Sequence, residues 1–330
     1  MSPASARPRV SGIMAARNTA PYVGAAIESA LGQTYGNFEL LVVDDASTDA
    51  TAEIVAGYAE RDVRVRLFRH AECRGPAASR NVVLREARGE WIAVLDSDDL
   101  WRPNRLELQL AVVDANPSVR LVTSEYRKMD VAGRTLETLP YTWPEWWLLW
   151  RLLFWNSIGG HSQVLFQREP ALACSGYRSD FEFAEDYMLW VHLTRQGGVA
   201  CVHEVLMDYR VHDESVSAQN RQSQRMQGER VSNEAISVLL GERWLPERLA
   251  CLRDFWTGAF PAREDSLPHL ARDLRLLERA FWRQHPRLAT LANRLVLAVR
   301  IRRRWARYAR HLQQSGRGRA SVSAWRYAVI

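Results

Sequence analysis

Cysteine is scarce in this sequence, and long apolar runs are missing from it. The 330 residues include four cysteines, which lie far apart and form no CxxC pair. This spacing argues against a disulfide framework or a zinc site and favours a reducing compartment. The N-terminal segment lacks the apolar stretch of a signal peptide. The densest apolar run, residues 146–155, is too short to span a bilayer and contains Arg151. We therefore expect a cytoplasmic protein.

Acidic residues are missing from the C-terminal part of the chain. Thirteen arginines and no Asp or Glu lie between Arg279 and the C-terminus, so the net charge of +6 divides into a basic tail and a preceding region of net −7. Within residues 287–312, Leu291, Leu295, Ala298 and Val299 share one helical face, and arginines dominate after residue 300. This pattern favours a peripheral helix on the anionic inner face of the cell membrane over nucleic-acid binding. A solvated helix packed on the body is the alternative.

Strand and helix patterns alternate over residues 9–99. Buried strands are predicted at 10–15, 38–45, 63–68 and 90–96, with helices between them. Strands joined in this way form a mostly parallel, Rossmann-like α/β sheet flanked by helices. Ligands bind beyond the carboxyl ends of such strands, so the acidic residues that follow the second and fourth strands are expected to meet at one edge.

Strand patterns fade beyond residue 218. The remaining chain has helical periodicity, is rich in arginine and is interrupted by prolines. We therefore predict an α/β domain over residues 1–218 and a helical region over residues 219–330. The helical region is a candidate for association with a membrane or an acceptor.

Three carboxylates follow the fourth predicted strand. In WIAVLDSDDLW, Asp96, Asp98 and Asp99 lie within four positions, where like charges repel one another unless a cation offsets them. Oxygen ligands on a turn suit Mn²⁺ or Mg²⁺, which can also bind diphosphate oxygens and neutralise a departing phosphate. The alternative is a solvated turn that caps the next helix.

Further motifs around this turn resemble those of glycosyltransferase family 2, the inverting, nucleotide-sugar-dependent class with a GT-A fold. The resemblance covers residues 9–217. It is carried by VSGIMAARNTAPYVGAAIESALGQTYGNFELLVVDDASTDAT (10–51), RGPAASRNVVLREARGEWIAVLDSDDLWRPNRLELQ (74–109), GGHSQVLFQRE (159–169), AEDYMLWVHLTRQG (184–197) and YRVHDESVS (209–217). One departure is AARN at 15–18, where the family usually has Pro-x-Tyr/Phe-Asn, so that Arg17 replaces an aromatic residue that often lies near the nucleotide base.

The resemblance implies a donor-binding site at the carboxyl edge of the sheet. It implies that Asp45, beside Asp44, contacts the base, that Asp96 contacts ribose, and that Arg80 lies near the sugar or diphosphate. The full set of implied nucleotide-sugar contacts is Ala15, Arg17, Asp44, Asp45, Arg80, Asp96, Ser97 and His161. The implied metal ligands are Asp96, Asp98, Asp99 and His212.

The resemblance also implies a catalytic base. AED at 184–186 matches the family's base motif, and Asp186 is the candidate that takes the proton from the acceptor hydroxyl, with Glu185 oriented elsewhere. Taken without the resemblance, these residues form an acidic pair of the kind favoured at a helix N-terminus.

Together these patterns predict a metal-dependent inverting hexosyltransferase. It would move a sugar from a UDP- or dTDP-linked donor to the hydroxyl of a glycan or lipid-linked acceptor in cell-surface polysaccharide assembly. Five tryptophans within residues 143–155 would stack on sugars or lie at a bilayer interface, unless they form core. A nucleotidyltransferase that makes nucleotide-sugars is one alternative, although AARNTAP is not a Gly-rich phosphate loop. A non-catalytic nucleotide-sugar binding module is another.

Overall fold

The chain folds into two compact units. The computed structural model describes residues 7–140, 143–212, 215, 219–241, 244–260 and 267–329. The first unit extends to Leu148 and resumes from Asn156 to Gln227, and the second comprises Leu149–Trp155 and the chain from Gly228 onward. The domain boundary predicted at residue 218 lies outside the described residues.

The first unit is built on a nine-stranded sheet. Its strands are β1 (Val10–Ala16), β2 (Phe38–Asp44), β3 (Val65–Arg69), β4 (Trp91–Val94), β5 (Leu100–Trp101), β6 (Val119–Met129), β7 (Thr135–Leu139), β8 (Leu165–Gln167) and β9 (Gly198–Arg210). The order is β3-β2-β1-β4-β8-β6-β9-β5, with β7 paired to β6. Strands β1 to β4 pair in parallel, β6 pairs in parallel with β9, and the other pairs are antiparallel. The sheet is therefore mixed, and its parallel half is the part formed by the four strands predicted over residues 9–99.

Helices flank this sheet and continue through the C-terminal part of the chain. They are α1 (Ala20–Leu31), α2 (Thr51–Arg61), α3 (Pro76–Glu86), α4 (Arg105–Ala115), α5 (Glu145–Leu152), α6 (Arg168–Ala173), α7 (Glu185–Gln196), α8 (Arg221–Leu240), α9 (Pro246–Thr257), α10 (Leu267–Gln284), α11 (Leu291–Gln314) and α12 (Gly318–Val329). The predicted fold class, an α/β sheet domain followed by a helical region, is confirmed. None of the helices in the described ranges is both long enough and apolar enough to cross a membrane.

The register of the parallel strands brings three chain segments to one edge of the sheet. Ala16 lies opposite Asp44, and Ile13 lies opposite Val94. The N–H of Asp45 donates to the carbonyl of Ala16 at 2.9 Å, which carries the pairing one residue beyond the strand. The segments that follow β1, β2 and β4 therefore emerge side by side, as expected for a ligand-binding edge.

Apolar packing between α1 and the sheet holds the strands of this edge in place. Val23 and Ile27 of α1 lie in the same buried cluster as Met14 of β1 and Leu40 of β2, and all four are fully buried. Burial of each such side chain contributes roughly 1.5–3 kcal/mol, so the strand ends are held on a well-packed base.

A buried arginine lies behind the acidic turn. Arg105, at the start of α4, has no exposed surface and donates to the carbonyls of Val94 at 3.0 Å and Val164 at 2.9 Å. Its guanidinium lies 4.3 Å from the ring centroid of Trp101, whose indole N–H also donates to Val94. Gln109 accepts from the remaining Nε–H at 3.1 Å. The end of β4 is thus fixed by α4 rather than by the sheet alone.

The tryptophan segment forms core. Within the first unit, Trp146 and Trp147 are 5% and 7% exposed and pack against each other. Within the second unit, Trp150 is fully buried, and its ring centroid lies 5.4 Å from that of Trp256 and 5.1 Å from that of Phe281. Core packing is one of the three interpretations of this segment, and for these three tryptophans it replaces sugar stacking and interfacial contact.

Candidate active site

Asp45 is held by the segment that leads into α3. Its carboxylate accepts hydrogen bonds from the N–H groups of Arg74 and Gly75, both at 2.9 Å, and lies 2.9 Å from Nδ1 of His70. Burial alone would raise the pKa of Asp45, but these hydrogen bonds outweigh it and the pKa is lowered. Gly75 has φ +81°, a conformation that side chains rarely adopt, and it lets the N–H turn toward the carboxylate.

Three other residues of the predicted nucleotide-sugar set lie at the same edge. Ala15 and Asp44 are near the ends of β1 and β2, and Arg17 is exposed just beyond β1, where its guanidinium contacts the thiol of Cys73. Cys73 in turn lies 3.4 Å from the carboxylate of Asp45. Asp44 is buried, and among the described residues its Oδ1 atom has no hydrogen-bond partner.

Arg80 joins the acidic turn to the acidic start of α7. It donates from Nη2 to Asp96 at 3.0 Å and from Nη1 to Glu185 at 2.7 Å. Its side chain is 13% exposed and that of Glu185 is 6% exposed. Glu185, for which a different orientation was expected, therefore belongs to this cluster. Its second oxygen, Oε2, is buried and has no partner among the described residues.

Asp96 has a second neighbour in His161. Nδ1 of His161 lies 3.0 Å from Asp96 Oδ1, and its Nε2 lies 3.0 Å from the hydroxyl of Tyr177. Burial alone would raise the pKa of Asp96, but His161 and Arg80 outweigh it and hold the pKa well below its usual range. Burial alone would lower the pKa of Arg80, and Asp96 with Glu185 raises it instead. Asp96 is thus a carboxylate whose charge the protein already compensates.

Asp99 is tied into the fold. It is fully buried, accepts from the hydroxyl of Ser162 at 2.5 Å, and accepts from the N–H of Arg210 at 2.9 Å. Burial raises the pKa of Asp99 well above its usual range, and the charges of Asp98 and Asp96 add to this. Each oxygen therefore already accepts one hydrogen bond, and the role of Asp99 as a metal ligand stays a prediction. Ser97 is buried in the same turn.

Asp98, which precedes β5, and His212, which follows β9, lie next to each other. Nε2 of His212 lies 2.9 Å from Oδ2 of Asp98, and the ring of Tyr22 packs 5.2 Å from that of His212. In the described ranges, no group of three His, Cys, Asp or Glu side chains is arranged to hold a metal ion. One carboxylate and one imidazole still fit a divalent cation that takes its other ligands from diphosphate and water, which is how Mg²⁺ is commonly bound. The other two predicted ligands, Asp96 and Asp99, also have protein partners, and their role as ligands stays a prediction.

Asp186 lies in the first turn of α7, beside this cluster. It is half-buried, accepts from Asn156 at 3.1 Å and accepts from its neighbouring N–H, that of Tyr187, at 2.6 Å. Burial raises the pKa of Asp186 and the charge of Glu185 adds to this, whereas His161 and Arg80 oppose it. The net pKa is raised, which is the direction that a general base near neutral pH requires.

Several contributors to the site carry no sequence signal of their own. Tyr177 orients His161, Asn156 holds Asp186, and Tyr22 packs on His212. Each of the three residues is far along the chain from its partner, and only tertiary structure brings them together. A motif with a fixed spacing, such as AED or DSDD, is the one kind of signal that could locate such a site.

Comparison with known proteins identifies related sequences. Residues 11–178 match the model of the family described as Glycosyl transferase family 2. The chain is 33% identical over 211 residues to WfaP of Escherichia coli and 30% identical over 211 residues to WfgD of the same species, which covers 63% of this chain and 80% and 79% of those proteins. It is 40% identical over 131 residues to an uncharacterised glycosyltransferase of Rickettsia felis, which covers 40% of this chain and 21% of that protein. The chain thus spans only about a fifth of the rickettsial relative's length.

Solved structures share the fold. The crystal structure of S. aureus TarS 1–349 in complex with UDP has a TM-score of 0.59 at 16% identity, covering 97% of this chain and 90% of that one. The mannosyltransferase PcManGT from Pyrobaculum calidifontis, in complex with GDP-Man and Mn²⁺, has a TM-score of 0.54 at 20% identity, covering 98% and 88%. At these identities the likeness concerns the fold alone.

Proposed function

Because this chain belongs to glycosyltransferase family 2, we propose that it transfers a hexose, with inversion, from a nucleoside diphosphate to a hydroxyl group of a lipid-linked or glycan acceptor. The observation that carries the proposal is the Arg80 bridge, which joins Asp96 at the sheet edge to Glu185, next to Asp186. The candidate donor site, the acidic turn with the Asp96 charge paired to Arg80, and the candidate base Asp186 are thereby adjacent in one unit.

The names of two relatives support the substrate class. WfgD and WfaP are each named a UDP-Glc:α-D-GlcNAc-diphosphoundecaprenol β-1,3-glucosyltransferase. On this basis a uridine diphosphate sugar is the preferred donor, ahead of a dTDP sugar, and a sugar on a polyprenyl diphosphate is the preferred acceptor. Cell-surface polysaccharide assembly is the corresponding setting.

Asp44 and Asp45 are the proposed contacts to the base. The buried Oδ1 of Asp44, which has no partner within the described ranges of the chain, is available to accept a ring N–H, while Asp45 fixes the segment that begins α3. Arg17 would lie over the same pocket as a cation where relatives usually carry an aromatic ring, and it would favour an electron-rich oxygen of the base or a phosphate.

The proposed chemistry is acceptor deprotonation beside a stabilised diphosphate. Asp186 accepts the proton of the acceptor hydroxyl as that oxygen attacks the anomeric carbon, and the bond from that carbon to the diphosphate oxygen breaks. The side chain of Asn156 orients the carboxylate of Asp186. Arg80 holds Asp96 in place and keeps positive charge close to the leaving group.

A divalent cation is the proposed cofactor, with Asp98 and His212 as the residues that would hold it. When bound, it would supply positive charge to the diphosphate as negative charge accumulates there. Mn²⁺ is preferred over Mg²⁺ because an imidazole is part of the donor set.

Replacement of the base tests the proposal. Asp186→Asn keeps the size of the side chain and removes its basicity, so transfer should fall by about 10²–10⁴-fold while UDP-sugar binding, measured by calorimetry, stays within a few-fold. Asp180→Asn is a matched control, because Asp180 is exposed and its described partner is Arg178 of the same loop. Unchanged transfer in the Asp186 variant would remove Asp186 as the base. Donor binding without transfer in the wild type would instead favour a binding module.

A further inference from the structure

The outward face of α11 is apolar in its first half. Leu291, Leu295 and Val299 are 74%, 57% and 43% exposed and follow one another at four-residue intervals, so they lie on one stripe of the helix. Val296, beside them, is 43% exposed. The opposite face packs inward within the second unit, where Leu297 is fully buried. Four large apolar side chains along two turns of a helix are more than scattered surface residues explain.

The second half of the same helix is cationic on its exposed surface. Arg303, Arg307 and Arg310 are all exposed there. No Asp or Glu lies anywhere from Arg279 to the C-terminus to compensate them. Burial lowers the pKa of Arg304, and the charge of Arg307 lowers it further, which indicates that the arginines repel one another.

The neighbouring helix α12 repeats the combination. Val322 and Trp325 are 59% and 39% exposed, and Arg319 and Arg326 are exposed on the same helix face. The hydroxyl of Ser321 donates to the carbonyl of Ala309 at 3.0 Å, so α12 is packed onto α11. A tryptophan together with arginines is typical of side chains at the boundary between lipid headgroups and acyl chains.

We propose that α11 and α12 dock on an anionic lipid bilayer, with the apolar stripe inserted among the acyl chains and the arginines against the headgroups. This rests on the proposed function only in that a polyprenyl-linked acceptor resides in a membrane. A second copy of the chain fits less well, because pairing through this face would bring two arginine clusters together with no carboxylate between them. Nucleic acid would use the arginines and leave the apolar stripe exposed.

Vesicle flotation with the full chain tests the docking surface. We expect binding to vesicles of phosphatidylcholine with phosphatidylglycerol, and much weaker binding to phosphatidylcholine alone or in high salt. Arg303→Gln with Arg307→Gln should weaken binding by about fivefold for each arginine. Leu295→Glu with Val299→Glu should weaken it by more than about tenfold. Val63→Glu is the matched control, because Val63 is 97% exposed in the first unit.

Four outcomes would overturn the inference. One is a wild type that does not float with anionic vesicles. Another is a pair of double variants that float as well as the wild type. The third is a wild-type dimer that the apolar variant converts to a monomer. The fourth is a DNA oligonucleotide that binds more tightly than the vesicles. Sugar transfer is measured in parallel: a wild type that transfers sugar but does not float refutes the docking surface alone, and a wild type that floats but does not transfer sugar refutes the proposed function alone.

Discussion

Removal of Arg80 should destabilise the first unit more than any single polar substitution at its surface. Arg80 is the partner of two carboxylates that are themselves largely buried, Glu185 at 6% and Asp96 at 25% side-chain exposure. Arg80→Gln keeps a polar side chain, but one too short to reach both carboxylates, and it leaves Glu185 without the Arg80 charge and Asp96 with His161 as its remaining partner. An uncompensated charge in such an environment is costly because neither water nor a partner solvates it.

The expected loss is about 3–5 kcal/mol, the range for breaking a buried ion pair on one side. For a unit of this size, that corresponds to a fall in Tm of about 6–20 °C. Glu185→Gln should recover part of the loss in the double variant, because one of the two stranded charges is then absent. The coupling between the two substitutions should be about 1–3 kcal/mol.

Thermal unfolding of the wild type, both single variants and the double variant measures this cycle. Fluorescence and circular dichroism are recorded together, because a chain with two units need not unfold in one step. Arg80→Gln within about 1 kcal/mol of the wild type would show that the bridge behaves like a surface ion pair. Strictly additive single variants would show that Arg80 and Glu185 do not interact.

Three more outcomes follow from the site. Burial raises the pKa of Asp186, and the charge of Glu185 adds to this against the opposing effects of His161 and Arg80. Glu185→Gln should therefore lower that pKa and move the acidic limb of the kcat/KM profile to lower pH; an unmoved limb would contradict this. The folded pKa of Asp45 is lowered, so its stabilisation is present above the unfolded value of about 3.9 and lost as pH falls through the folded one. Asp45→Asn should therefore cost about 1–3 kcal/mol at pH 7, and progressively less as the pH of the urea titration is lowered below about 3.9. His212→Gln should raise the Mn²⁺ concentration for half-maximal transfer by about tenfold or more, and chelation should abolish transfer; an unchanged requirement would remove His212 as a ligand.

The parallel half of the fold could be predicted because it depends on local patterns. Apolar runs such as FELLVVDD end in carboxylates, and the parallel register places those ends together. No comparable pattern predicts β9, whose thirteen residues mix buried Met207 with exposed His203 and pair with a strand far away in the chain. A strand of this kind is specified by its partners rather than by its own alternation.

The sequence predicts where the candidate site lies, but not which side chains form hydrogen bonds and ion pairs with one another. Sequence spacing placed Asp96, Asp98 and Asp99 together. Only the structure shows that they have different partners, Arg80 for Asp96 and Ser162 for Asp99. The orientation of a side chain depends on residues distant in sequence, which no motif contains. The glycine pair at 159–160 is similar: a Cβ on Gly159 would lie 2.6 Å from the amide nitrogen of Gln163, so the packing of that side chain accounts for the glycine without a ligand.

Because of the fully buried Arg105, the position of the acidic turn depends on helix α4. Its guanidinium bridges carbonyls of two neighbouring strands, two residues before Asp96 and two before Phe166. Lysine cannot donate to both carbonyls in this geometry, and burial of its strongly hydrated ammonium group is costly. We therefore expect Arg105→Lys to increase the distance between the end of β4 and the start of β8. A reagent or mutation that weakens the packing of α4 would then lower the rate of sugar transfer without altering any residue that contacts the substrate.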